Sequence, residues 1–236
     1  MGLSYTKEEI IEELKGVLKD NADCLYKSNM VFRKGNIKDT NIPYSEEIIA
    51  QLYANGYIVH NAFIDNVSEI EREESYYTKS HEELVKIRNV GSDQEEKNYV
   101  KDLFIDNPFE KELGKTIDFE VPLKDCESDC AGKIDLITFN ETTAELFLVE
   151  VKKDGSEETA LRCCLEIQTY LQKIADIEKF VDDFYNAGKL PTKDLKVKLA
   201  VIVFENSVAG AEFKDETRIN LQKLVKDFDI KVCFAK

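Results

Sequence analysis

Residues 132–153 read GKIDLITFNETTAELFLVEVKK, two apolar runs of strand length joined by a polar tetrapeptide. The runs KIDLITF and AELFLVEV, on either side of Asn140-Glu141-Thr142-Thr143, predict a β-hairpin with a four-residue loop. Placing Phe139 opposite Ala144 sets Ile137 against Leu146 and Asp135 against Leu148. The strand period of two then puts Asp135, Leu148, Glu150 and Lys152 on one face, with Asp135 diagonal to Glu150. A one-residue slip would send the two carboxylates to opposite faces, so this face depends on the register.

Carboxylates at the ends of strands that look buried need a partner, because desolvating an unpaired charge is costly. Two like charges at about 4 Å repel by roughly 4 kcal/mol at an effective dielectric near 20. A divalent cation between Asp135 and Glu150 would relieve this, with Lys152 adding a second positive charge beside it. Hard oxygen donors without a His or Cys set favour magnesium or manganese.

Asp135 and, after fourteen intervening residues, Glu150-Val151-Lys152, each on its own strand, resemble the Asp…Glu-x-Lys signature of the PD-(D/E)XK nuclease superfamily. The resemblance covers roughly residues 92–205, and Ile134 stands where many members have Pro. It implies a restriction-endonuclease-like core in which Asp135, Glu150 and the Val151 carbonyl hold the metal and Lys152 positions or activates the attacking water. A cross-strand ion pair at a solvated sheet end would give Glu-x-Lys the same appearance.

The formal charge of −15 argues against a general nucleic-acid coating protein. It is uneven: residues 1–152 carry 18 basic and 32 acidic side chains, residues 153–236 carry 14 and 15. A phosphate-facing surface is therefore expected in the second half, where Lys193, Lys196, Lys198 and Lys214 are candidates. The six cysteines lack Cys-x-x-Cys pairing, which reads as reduced thiols in a cytoplasmic protein. Some members of the superfamily bind an iron–sulfur cluster; here Cys126 and Cys130 are the only suggestive pair. With only His60 and His81 a zinc site is not expected. No run approaches the ~18 apolar residues of a membrane span.

Taken in order, residues 6–19 predict an amphipathic helix opened by a Thr6/Glu9 capping box. Residues 45–55 read as a second helix and YIVHNAFI as a strand. Residues 1–90 offer no catalytic constellation and are expected to be a mainly helical elaboration on a core formed by residues 91–236. Ser92-Asp93-Gln94-Glu95 is a further capping box, which gives Glu95 a structural task. Glu96 falls inside the apolar arc of Tyr99, Val100, Leu103 and Phe104. The helix before the first strand supplies an acidic residue to the site in many superfamily members, and Glu96 matches by position.

Residues 117–123 predict the first core strand, 157–174 a widely apolar helix, 177–187 another helix, 199–204 a buried strand, 215–227 a helix and 230–234 a last strand. The expected class is α/β, a mixed central sheet with helices on both faces. Some superfamily members carry a Gln-x-x-x-Tyr pair on the helix after the hairpin. Here Tyr170 has Glu166 four residues before it, so either Glu166 replaces the Gln or Gln168 serves from a neighbouring turn. The resemblance thus implies a magnesium- or manganese-dependent nuclease acting on nucleic acid, with DNA favoured, and no membrane partner. A non-catalytic module that binds protein or nucleic acid is the alternative, and a protein partner or homo-oligomer stays open.

Overall fold

The computed structural model describes residues 5–59, 62–63, 67–88, 94–125 and 132–236. Helix α1 (Lys7–Asn21) opens with the expected reciprocal cap: the Thr6 N–H donates to Glu9 Oε2 at 2.7 Å, and the Glu9 N–H to Thr6 Oγ1 at 3.3 Å. Ile10, Leu14 and Leu18 turn inward at helical spacing. Two 3-10 turns, Ala22–Lys27 and Asn29–Phe32, lead to α2 (Tyr44–Ala54). The strand expected around YIVHNAFI is instead a pair of two-residue antiparallel strands, β1 (Ile58–Val59) and β2 (Ala62–Phe63). His60, between them, lies outside the described residues.

One turn of helix, α3 (His81–Leu84), precedes α4 (Glu95–Asp106) and α5 (Glu110–Leu113). The main sheet then follows as β3 (Lys115–Pro122), β4 (Lys133–Asn140) and β5 (Glu145–Val151). Helices α6 (Ala160–Lys173) and α7 (Ile177–Asn186) lead to β6 (Lys196–Phe204), and α8 (Val208–Lys214) and α9 (Ile219–Asp227) lead to β7 (Ile230–Ala235). The five strands lie in sequence order, with β3–β4–β5 antiparallel and β5–β6–β7 parallel. This is the expected mixed α/β sheet. The helix expected over 215–227 is found as α9, starting later at Ile219; α8 before it was not expected, and it starts on Ser207, whose hydroxyl accepts the Gly210 N–H, with an Asp215 turn between the two.

The hairpin register corrects the sequence reading by two residues. Asn140 pairs with Glu145, Phe139 with Leu146 and Ile137 with Leu148, so the loop is Glu141 to Ala144. The Asn140 side chain sets it by accepting the Thr142 and Thr143 N–H groups, while Ala144 takes φ +52°. A shift of two preserves side-chain parity, so the predicted face survives while the partners change.

Each face of the sheet is covered. Ile137, Leu146, Leu148, Leu199 and Val201 join Leu161 and Leu165 of α6 and Ile10, Met30 and Ile48 of the N-terminal helices in one apolar cluster. Leu136, Phe147, Val149 and Ile202 face the other way, against Val100 and Leu103 of α4. Burying each such side chain contributes about 1.5–3 kcal/mol. The N-terminal helices are also tied in by Glu46, which caps α9: its carboxylate accepts the Asn220 and Leu221 N–H groups, each at 2.9 Å.

Among the described residues Cys24, Cys163, Cys164 and Cys233 are free thiols; Cys126 and Cys130 lie outside them. No described helix is long and apolar enough to cross a membrane.

Candidate functional site

The β4–β5 ladder ends with Leu136 paired to Val149, and Asp135 and Glu150 are the next residues beyond that last pair. The Val151 N–H donates to Asp135 Oδ2 at 2.8 Å, which holds the carboxylate against the end of β5. Beyond β5 the ladder continues for one residue: the Lys152 N–H donates to Ile202 O at 2.9 Å. Lys152 therefore keeps the strand's alternation, and its side chain emerges on the face that carries Glu150.

There Lys152 Nζ is caged by acids. It pairs with Glu150 Oε1, with Glu158 Oε2 at 2.8 Å and with Glu166 Oε2 at 3.3 Å. Glu166 Oε1 accepts the Tyr170 hydroxyl at 3.0 Å, and Arg162 pairs with both Glu158 and Glu166. Arg162, Glu166 and Tyr170 recur every four residues and form one stripe along α6, and Glu158, just before the helix, continues the spacing. Of the two α6 candidates it is Glu166, with Tyr170, that joins the hairpin residues. Gln168 is buried two residues away from each, about 200° around the helix.

The centre of the cluster is buried, Glu150 and Lys152 each being 3% exposed, whereas Asp135 and Glu158 are half-buried. Four carboxylates, Asp135, Glu150, Glu158 and Glu166, meet two cations, Lys152 and Arg162. Protons absorb the excess. Burial pushes Asp135 up to about 7 against the opposing pull of Lys152 and the Val151 N–H, with Glu96 and Glu166 adding to the rise. Burial, Asp135 and Glu166 likewise drive Glu150 well above the carboxylate range. Burial would raise Glu166 too, but Lys152, Arg162 and hydrogen bonds from Glu150 and Tyr170 bring it below its ordinary value. Burial works against the Lys152 ammonium, yet Glu150 and Glu166 outweigh it and hold the pKa well above normal. Lys152 is thus a fixed cation rather than a proton acceptor.

Glu96, half-buried on α4, is near enough for its charge to raise Asp135 and the neighbouring Lys153. Glu95 forms an ion pair with Lys153, and the expected capping box falls on Ser92, which lies outside the described residues. The pair brings the start of α4 against the end of β5.

The sequence reading missed Glu158 and Arg162, although their spacing from Glu166 and Tyr170 was available as a signal. It also missed what the N-terminal elaboration does here. The Tyr26 ring stands edge-on to Tyr170, with centroids 5.7 Å apart, and the Tyr26 carbonyl accepts from Arg162 Nε at 3.1 Å. The Arg162 guanidinium also lies over the Phe32 ring, 4.4 Å from its centroid. Of the lysines considered for a nucleic-acid backbone, Lys193, Lys198 and Lys214 are each paired, with Asp182, Asp229 and Glu205.

As a donor set for a metal, Asp135, Glu150 and the Val151 carbonyl are hard oxygens that suit magnesium or manganese. Among the described residues no group of three or more His, Cys, Asp or Glu side chains is placed to hold a metal ion. Compared with protein-family models, curated proteins and solved structures, the chain has no match.

Proposed function

We propose that the chain is a metal-dependent nuclease of the PD-(D/E)XK superfamily, with a restriction-endonuclease-like core, that hydrolyses phosphodiester bonds in nucleic acid, DNA foremost. The observation that carries this reading is the juxtaposition of Asp135, held by the Val151 N–H, with Glu150 and its partner Lys152, in a cluster holding more carboxylates than cations. Asp135, Glu150 and the Val151 carbonyl would hold magnesium or manganese, with Glu96 beside them. A bound metal of this kind polarises a phosphate and acidifies a bound water. Lys152, kept charged by Glu150 and Glu166, orients that water or steadies charge developing on the phosphate. Glu166, Tyr170 and Arg162 fix the position of Lys152.

Titration calorimetry with manganese or magnesium on the wild type and the Asp135→Ala/Glu150→Ala variant, followed by cleavage assays on plasmid and RNA, tests the proposal. Saturable binding lost in the variant, together with metal-dependent cleavage by the wild type, is the expected result. Wild-type protein that takes up no metal, even with an oligonucleotide present, contradicts it.

One observation favours a second reading, a non-catalytic module that binds protein or nucleic acid. Lys152 already offsets the acids around it, so the cluster can persist without a metal. In that case magnesium leaves the melting temperature unchanged.

A further inference from the structure

Away from this cluster, a cavity of about 370 Å³ opens beside the edge strand β3. We propose that this cavity, walled by His81 and Lys101 with Asp118 behind them, binds the phosphoryl group of a small anion. The proposal does not rest on the nuclease reading.

Asp118 sits where a β-bulge interrupts the β3–β4 ladder, and it is 1% exposed. Its Oδ1 accepts the Phe119 N–H and contacts His81 Nδ1, each at 2.8 Å, whereas its buried Oδ2 has no partner among the described residues. The Asp118 carboxylate thus keeps an unsatisfied oxygen beside the imidazole. The His81 ring is held in place by the Phe119 ring, 4.9 Å between centroids. With Nδ1 turned to Asp118, Nε2 is on the opposite edge of the ring, and among the described residues no partner for it is found.

Lys101 lines the same cavity. It is 4% exposed and donates to Ile87 O at 2.7 Å, a neutral acceptor, and no described carboxylate forms an ion pair with it. A buried ammonium without a counter-ion is costly, and a bound anion would relieve the cost. Arg72 adds positive charge to the wall, although its own hydrogen bonds go to the carbonyls of Glu74, Ser75 and Pro122. The acids of the wall are Glu74, Glu120 and Asp125. Glu74 and Asp125 are exposed and therefore screened by solvent, and Asp125 is occupied by Arg72 and the Glu73 and Glu74 N–H groups. At depth lie the Lys101 ammonium and the Asp118 carboxylate, one oxygen of which His81 occupies, while Glu120 is half-buried. Phe119 gives the cavity an aromatic surface, and its volume is in the range of small-molecule sites.

The chain has two histidines, His60 and His81, so imidazole NMR reports on the site with an internal control. The full chain is titrated with sodium phosphate against sodium chloride at matched ionic strength. The expected result is a saturable shift of the His81 Cε1–H resonance that chloride does not reproduce and His60 does not share. Lys101→Met, which keeps the apolar stem, should weaken binding about tenfold, the loss of one charge-assisted contact. No saturable shift in the wild type, an equal shift at His60, or unchanged affinity in a folded Lys101→Met variant would overturn the proposal. Adenosine 5′-monophosphate and a short oligothymidylate then separate the sources of the phosphoryl group. Stronger binding of the monophosphate assigns a free nucleotide, and stronger binding of the oligomer assigns a polynucleotide backbone.

Discussion

The Val151 N–H donates to Asp135 Oδ2 at 2.8 Å, so a backbone group of one strand orients the carboxylate of the next. An asparagine at this position can still accept that bond but carries no charge. Asp135→Asn is therefore expected to fold with a melting temperature at or above that of the wild type. Its metal binding and cleavage should fall by at least about 100-fold, the scale seen when a group that stabilises transition-state charge is removed. Calorimetry and a plasmid-cleavage assay on the same preparation check both halves.

The elevated pKa of Asp135 gives a signed pH dependence. In the unfolded chain the group titrates near 3.9, whereas in the fold it titrates at about 7. Between those values the folded state holds a proton that the unfolded state has released, so stability is lost as pH rises through this window and levels off above it. Denaturant melts of wild type and Asp135→Asn should agree near pH 4 and diverge up to pH 7, with the wild type the less stable. Saturating magnesium should restore the wild type at high pH. Curves that stay parallel from pH 4 to 8 would rule out this assignment.

Lys152 pairs with Glu150, Glu158 and Glu166, and removing it leaves them crowded without that cation. Lys152→Met is expected to cost about 3–5 kcal/mol at pH 8, as for a broken buried ion pair. The loss should shrink at lower pH, where the acids take up protons. Adding Glu166→Gln should recover part of it, with a coupling of about 0.5–3 kcal/mol. Urea unfolding of the four proteins gives the cycle directly.

Gly132 has φ +98°, and a Cβ there would lie 2.5 Å from Cε1 of Tyr170. Gly132→Ala should therefore destabilise by about 1–3 kcal/mol through backbone strain and by crowding Tyr170. Gly155, at φ +70° with nothing within 4 Å of a Cβ, is the control. Its alanine variant should lose only about 1–2 kcal/mol, the backbone part. Thermal melts of the two variants separate strain from collision.

The hairpin and the shared face of Asp135, Glu150 and Lys152 were legible because both follow from apolar runs of strand length and a period of two. The register was not, because it is set by the Asn140 side chain folding over the loop and by the left-handed Ala144, which strand periodicity does not encode. Glu166 and Tyr170 were readable as a four-residue pair, and the same arithmetic extended to Arg162 and Glu158 would have found the rest of the stripe. The contact between His81 and Asp118 joins positions 37 residues apart, and only the folded chain brings them together. Tyr26 and Phe32 were invisible as site residues for the same reason: nothing local in an N-terminal segment announces which distant helix it will cover.

That coverage bears on how the molecule can be divided. Helix α6 has the sheet on one side, and Tyr26, Met30 and other N-terminal side chains share its apolar cluster. The half that carries the motif is consequently no portable cassette. Cut free of its first ninety residues, it would show water the apolar surface that those residues cover and would self-associate. Gene fusions or domain transplants that aim to move the Asp135–Lys152 unit into another protein must carry the N-terminal helices along with it.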